Sequence, residues 1–221
     1  MWYAFPVNPP KLPRQWSDAV IGATTYHLIA FYYPGGTHYP NGLTDWDRFY
    51  RFEEFGNFYV CPQKLKLTAK GITGEFHTAE AAFQATKFWS DPAILARFEN
   101  APDGPAAFDV RDDLKKHHIA ADDDPVHGYA GLGQTGAMEA VLKLKYAITQ
   151  FKDILLESGD AYLLEHNTRT GKDWTWSDNF DGTGENRLGQ MLMELRKALG
   201  GAGVPLGTFA VADFTSRVKT V

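Results

Sequence analysis

The 221-residue chain holds a single cysteine, Cys61, so it can form neither an internal disulfide nor a cysteine-based metal cluster. A lone cysteine of this kind reads as a small buried hydrophobe. Positive charge is also scarce: 22 Lys and Arg stand against 27 Asp and Glu, a net charge of −5. That balance argues against a protein that coats nucleic-acid backbones by charge alone, which needs clustered cations. It leaves open a pocket that reads one nucleotide or one modified base. No run approaches the ~20 apolar residues of a membrane span, and no membrane partner is expected. The first 36 residues lack a charged start followed by an apolar stretch, and Pro6, Pro9, Pro10 and Pro13 interrupt them. The chain is therefore read as soluble and intracellular, cytoplasmic or nuclear.

Several chemical signatures are missing too. There is no Gly-x-Ser-x-Gly, no nucleotide-type P-loop and no dinucleotide fingerprint. The seven His show no metal-ligand spacing. His117-His118 lie beside acidic residues and read as exposed, and Asp122-Asp123-Asp124 reads as a solvated turn. No metal and no cofactor is expected. What is plentiful is aromatic: 15 Phe, 10 Tyr and 6 Trp make up 14% of the chain. Large rings fill cores as readily as they wall pockets, so composition leaves both uses open.

Along the chain, residues 1–27 are rich in Pro and aromatics and read as an arm laid over the domain. The apolar run 27–33 reads as a strand or buried segment, closed by Pro34-Gly35-Gly36. Residues 37–47 read as loop, and 52–60 and 64–68 as short strand-like pieces. A helix is expected from Thr78, a good N-cap, to Asp91-Pro92, with a shorter one over 92–98. Residues 101–136 carry the weakest signal, with one helical turn around 112–118. A long helix over 137–157 is expected from Val141, Leu144, Ile148, Phe151 and Leu155, and Tyr162-Leu163-Leu164 packs a short turn after it. A third helix over 185–199 buries Leu188, Leu192, Leu195 and Leu199. The tail adds one strand around 208–214. The pattern is that of one mostly helical domain.

Two constellations carry chemistry. Glu80, Gln84 and Lys87 stand at i, i+4 and i+7 and share one helix face, with the Glu80 and Lys87 Cα atoms roughly 10 Å apart. A solvated amphipathic helix would show the same stripe. Here Phe76, His77, Phe83, Phe88 and Trp89 crowd it, and apolar surroundings disfavour the charged form of a carboxylate, which suits acid–base work. A lysine so placed sheds its proton more readily and becomes nucleophilic. The second constellation runs from Glu165-His166-Asn167 through Asp173-Trp174-Thr175-Trp176 to Gly182-Thr183-Gly184-Glu185-Asn186-Arg187. Its Gly-x-Gly delivers the chain to a helix start, where free N–H groups favour an anion. A plain connector would look alike.

Taken together, the segments resemble the NADAR family, also called YbiA-like. Ala30-Phe31-Tyr32 and Glu54-Phe55-Gly56-Asn57-Phe58 match in order. Thr78-Ala79-Glu80-Ala81-Ala82-Phe83-Gln84-Ala85-Thr86-Lys87-Phe88 follows the family's Thr-x-Glu-x-x-Phe-Gln-Ala-x-Lys-Phe. Leu164-Glu165-His166, Asp173-x-x-Trp176 and Gly184-Glu185-Asn186-Arg187-Leu188-Gly189 complete the series, which covers roughly residues 28–199. The resemblance implies a mainly α fold, a single compact helical domain over 28–200 with a few short peripheral strands. Residues 201–221 would form an extension packed on it.

It also implies N-glycoside hydrolysis. One branch of the family acts on ribosylated pyrimidine intermediates of riboflavin synthesis, and another removes ADP-ribose from guanine bases of nucleic acid. The second is the preferred expectation here, with an ADP-ribosylated guanine as partner and no protein partner required. A non-catalytic module that binds NAD or ADP-ribose is a further alternative. By the resemblance Glu80 and Asp173 are the key carboxylates and Lys87 a reactive-site amine. Asn57, Trp176 and Asn186 are pocket residues, and Phe58, Gln84, Arg111 and Gly184 are further expected substrate contacts. The chain departs from the family in three places. Ala130 and Gln134 occupy the positions of a frequent Trp-x-x-x-Lys, leaving Tyr129 as the nearest substitute for the Trp. Ser177 replaces the Gly after Trp176, and Ala81 the His after Glu80. These changes bear on substrate choice more than on reaction type.

Overall fold

Apolar residues at the N-terminal end build a hairpin. The computed structural model describes residues 12–35 and 42–221. The expected arm over residues 1–11 and the expected loop over 36–41 lie outside the described residues. β1 (Ser17–Ile21) and β2 (Thr24–Phe31) pair antiparallel around Gly22, whose φ of +59° suits a residue without a Cβ. Residues 17–27, expected as part of the arm, thus belong to a sheet. After α1 (Asp45–Tyr50) and a 3₁₀ turn at Glu53–Phe55 come β3 (Val60–Ala69) and β4 (Ile72–Thr78), a second antiparallel pair. Strand therefore starts at Val60, and residues 52–59 are turn.

Helices fill most of the remaining chain: α2 (Ala79–Ala85), continued by a 3₁₀ turn at Thr86–Phe88, α3 (Pro92–Glu99) and α4 (Gly104–Lys116). Then come α5 (Gly133–Tyr146) and α6 (Thr149–Glu157). β5 (Tyr162–Glu165) pairs parallel with β2, in the register Leu28↔Tyr162 to Phe31↔Glu165. α7 (Arg187–Ala198) and α8 (Val211–Thr215) close the chain.

The mainly α expectation is corrected: the described residues are 39% helical and 17% strand, with one mixed and one antiparallel sheet among them. Nor are all the strands peripheral. Leu28, Ile29, Ala30, Phe31, Leu163 and Leu164 are each fully buried at the centre of the core. The long helix over 137–157 is two helices, because Ile148 adopts an extended conformation (φ −74°, ψ 121°) and re-aims the apolar stripe. Conversely α4 is a full 13-residue helix where one turn was expected. Asp103 caps it by accepting from the Ala106 N–H, and Pro105 sits in its first turn, a pairing that favours helix starts. The tail makes α8 instead of a strand. Phe214 stacks on Tyr162, ring centroids 3.8 Å apart and 5° from parallel. Among the described residues, no helix is long and apolar enough to cross a membrane.

Two buried features fix the frame. α7 lies close on β5 because residue 189 is glycine: a Cβ there would run into the Leu163 carbonyl and the Asn186 side chain. Lys145 of α5 is fully buried and donates to the Gly56 carbonyl at 2.9 Å and the Phe55 carbonyl at 3.5 Å. Burial pushes its pKa down to about 8. The unfolded chain, with an ordinary lysine, then binds more protons than the native state from about pH 8 upward, so this lysine makes stability rise with pH there.

Both features can be tested by substitution. Gly189→Ala should lower the unfolding free energy by about 2 kcal/mol or more through the backbone shift it forces, read by urea denaturation. The unfolding free energy of the wild type minus that of Lys145→Met should climb between pH 8 and 10 by about 1 kcal/mol per pH unit. A flat or falling difference would show that the Lys145 amine titrates normally.

Candidate functional site

The parallel strands β2 and β5 end side by side, and the crevice beyond their carboxyl ends is where open α/β sheets place ligands. Here that crevice is a cavity of about 560 Å³, within the range of small-molecule sites. Tyr32 and Tyr33 follow β2 into its wall, fixed by Asp47 of α1, whose carboxylate accepts both their N–H groups at 2.9 Å. Asn57 and Phe58 enter from the turn held by Lys145. α2 supplies Glu80, Phe83 and Gln84, the turn after it Lys87, and α4 Phe108 and Arg111. Glu165 ends β5, and the loop beyond it brings Arg169, Lys172, Asp173 and Trp176.

Eight of the ten expected site residues therefore line one cavity: Asn57, Phe58, Glu80, Gln84, Lys87, Arg111, Asp173 and Trp176. Gly184 and Asn186 do not. Gly184 is packed against the Ser177 carbonyl and the Asn179 backbone, where a Cβ has no room. Asn186 is fully buried, accepts from the Glu165 N–H at 2.9 Å and donates to the Leu163 carbonyl and the Tyr162 hydroxyl. Both N–H donors of its amide and one acceptor position of its Oδ1 are engaged in holding the end of β5.

The cavity gathers opposite charges in poor solvent. Glu80 accepts from Gln84 Nε2 at 2.7 Å, and its backbone N–H donates to the Asn57 carbonyl at 2.9 Å. Burial raises its pKa, opposed by the Gln84 bond and by Lys87 and Arg111. Asp173 is also raised by burial, while the N–H groups of Trp176 and Thr175, at 2.9 and 3.1 Å, favour its charged form. Lys87 is pushed down, first by burial, although Glu80 pulls the other way. Its Nζ lies 5.5 Å from the ring centres of both Phe83 and Tyr129, and no direct ion pair joins it to Glu80 among the described residues. Trp176 meets Phe83 edge-on at 5.5 Å. These rings make a wall beside the lysine amine. Among the described residues, no group of His, Cys, Asp or Glu is arranged to hold a metal ion.

Other lining residues carried no assigned role in the sequence. Glu165 sat in a matched segment, and only the pairing of β5 with β2 reveals that it faces Glu80 and Asp173. Tyr129, noted as the nearest substitute for a family Trp, lines the cavity together with Gln134. Lys172 lies 4.8 Å over the Tyr32 ring. As read from the sequence, Cys61 is buried and His117 and His118 are exposed.

The N-glycosidase YbiA of Shigella flexneri serotype 5b (strain 8401) is 40% identical over 160 residues, spanning 67% of this chain and 82% of that protein. Proteins of the same name from Escherichia coli (strain K12) and Shigella sonnei (strain Ss046) are 29% identical over the same spans. The chain belongs to the YbiA/NADAR family. No family model matches it. The YbiA-like stretch includes the wall around Tyr129, where this chain departs from the family's Trp-x-x-x-Lys.

Pocket and frame are separable by mutation. Asn186→Ala should strand the Leu163 carbonyl and the Glu165 N–H and strain a backbone at φ +50°, costing about 3 kcal/mol in thermal unfolding. Trp176→Ala, which removes a ring from the cavity wall, should shift the melting temperature by only a few degrees in the same thermal unfolding.

Proposed function

We propose that this protein removes ADP-ribose from guanine bases by hydrolysing the N-glycosidic bond between ribose and base. Its family makes it an N-glycosyl hydrolase; the guanine-linked ADP-ribose is the proposed step beyond that. The observation that carries it is that one cavity is lined by both carboxylates and cations. Glu80, Asp173 and Glu165 share it with Arg111, Arg169 and Lys172, positive charge gathered in a protein of net charge −5. A phosphorylated sugar needs both. Cations hold its phosphates, and carboxylates stabilise the positive charge that develops at C1 as the bond to the base nitrogen breaks. The ring wall of Phe83, Tyr129 and Trp176 offers a face for a base.

In this reading Glu80 stabilises the developing charge on the sugar. Lys87, with its proton affinity lowered, traps C1 as an imine when the ring opens, and Asp173 orients a water or a sugar hydroxyl. Turnover of guanine-linked ADP-ribose, compared with that of a ribosylated pyrimidine, tests the substrate by HPLC. The first should be the faster, and Glu80→Gln should reduce its kcat at least about a hundredfold. Full turnover by Glu80→Gln would remove Glu80 from the reaction. Borohydride added with substrate should leave a mass adduct on Lys87, and its absence would sink the imine. Tight binding with no product from either substrate would mark a binding module instead.

A further inference from the structure

The roles just assigned leave Glu165 unused, although it opens on the same cavity. The three carboxyl groups there differ in how their charge is supported. Glu80 has the Gln84 amide within hydrogen-bond distance and Lys87 and Arg111 nearby. Asp173 has two backbone N–H groups on Oδ1. Glu165 has Lys172 nearby but no such hydrogen bond: its Oε2 is sealed from solvent with no partner, which leaves Oε1 as the oxygen available to the cavity. The hydrogen bond from Glu165 to Asn186 is made by the backbone N–H and does nothing for the side-chain charge. An ionised carboxylate there would lack a hydrogen-bond partner on its sealed oxygen and face the carboxylates of Asp173, Glu80 and Asp178, which favour the neutral acid, while Lys172 opposes them.

We infer that Glu165 is the catalytic acid that hands its proton to the departing base. The inference rests on the N-glycosidase reading of the cavity. The C1–N bond breaks with its electron pair going to the base nitrogen, and the proton on Glu165 Oε1 moves to that nitrogen, leaving a glutamate carboxylate. The nucleophile that adds to C1, water or the Lys87 amine, sheds a proton as it bonds, and that proton restores the acid. Atoms and charge balance without a further reactant. Burial, with Asp173 and Glu80 behind it, pushes the Glu165 pKa well up, the direction an acid needs.

The test pairs a spectroscopic arm with a kinetic one. Infrared difference spectra of wild type against Glu165→Gln at neutral pH should show a protonated-carboxyl band that the variant lacks; no such difference overturns the inference whatever the enzyme cleaves. In the kinetic arm, Glu165→Gln, with its fold checked by circular dichroism, should lose at least about a hundredfold in kcat on guanine-linked ADP-ribose. It should lose less than about fivefold on NAD, whose nicotinamide departs as a neutral molecule and needs no proton. The alkaline limb of the wild-type pH profile on the guanine substrate should vanish in the variant. Equal losses on the two leaving groups, or none on the guanine substrate, overturn the role as acid. If the infrared band is present but wild type cleaves no N-glycoside, the protonated Glu165 stands while the N-glycosidase reading, and with it the role as acid to a departing base, fails.

Discussion

The parallel pairing of β2 with β5 is the constraint on which the site depends. Phe31 and Glu165 are register partners from distant parts of the chain. Because the strands run the same way, the residues just past each of them spill into one crevice. Tyr32 leaves β2 there, and Glu165 with the loop carrying Asp173 and Trp176 leaves β5 there. The pairing is kept by neighbours that do no chemistry. Asn186 bonds to three groups of β5, Gly189 lets α7 close on it, and Phe214 stacks on Tyr162 from the other side. Opposite stands the turn over residues 53–58, held from beneath by Lys145. It passes its order to Glu80 through the Asn57 carbonyl.

Low solvent exposure then gives the cavity its chemical character. Desolvation favours the neutral form of acids and bases alike, so the same burial raises the Glu165 pKa and lowers that of Lys87. An acid shifted up and an amine shifted down are the pair that displacement at C1 would use. Local hydrogen bonds set how far each carboxyl is supported in its charged form. Gln84 supports Glu80, and the N–H groups of Thr175 and Trp176 support Asp173. Three similar side chains acquire different roles from their immediate partners.

The sequence revealed the site more fully than the frame, and the reason is physical. Glu80, Gln84 and Lys87 are local: helical spacing alone puts them on one face. Their companions Asn57, Phe58, Asp173 and Trp176 became visible only through ordered motifs. Glu165 stayed unassigned because its role is set by strand pairing, a non-local property. Asn186 and Gly184 lie outside the cavity lining; sequence does not separate a residue that faces a cavity from one that holds the backbone behind it. The four-residue β5 looked like a packed turn because a short apolar run fits strand and turn equally. The helix α4 was underweighted although Asp103 and Pro105 marked its start, and Ile148 broke a stripe that periodicity read as continuous.

The departure around Tyr129 fits this electrostatic scheme. Where the family often carries a Trp and a Lys, this chain places a tyrosine ring and the Gln134 amide in the cavity wall. A lysine at 134 would have set another cation near Lys87, whose Nζ is already 5.5 Å from the Tyr129 ring centre. With glutamine there, the lowered proton affinity of Lys87 rests chiefly on burial, with Arg111 as the cation that assists. The exchange leaves amine, acid and charge-stabilising carboxylate in place and alters the wall against which a base would lie. Its effect should therefore fall on the choice of base more than on the breaking of the bond.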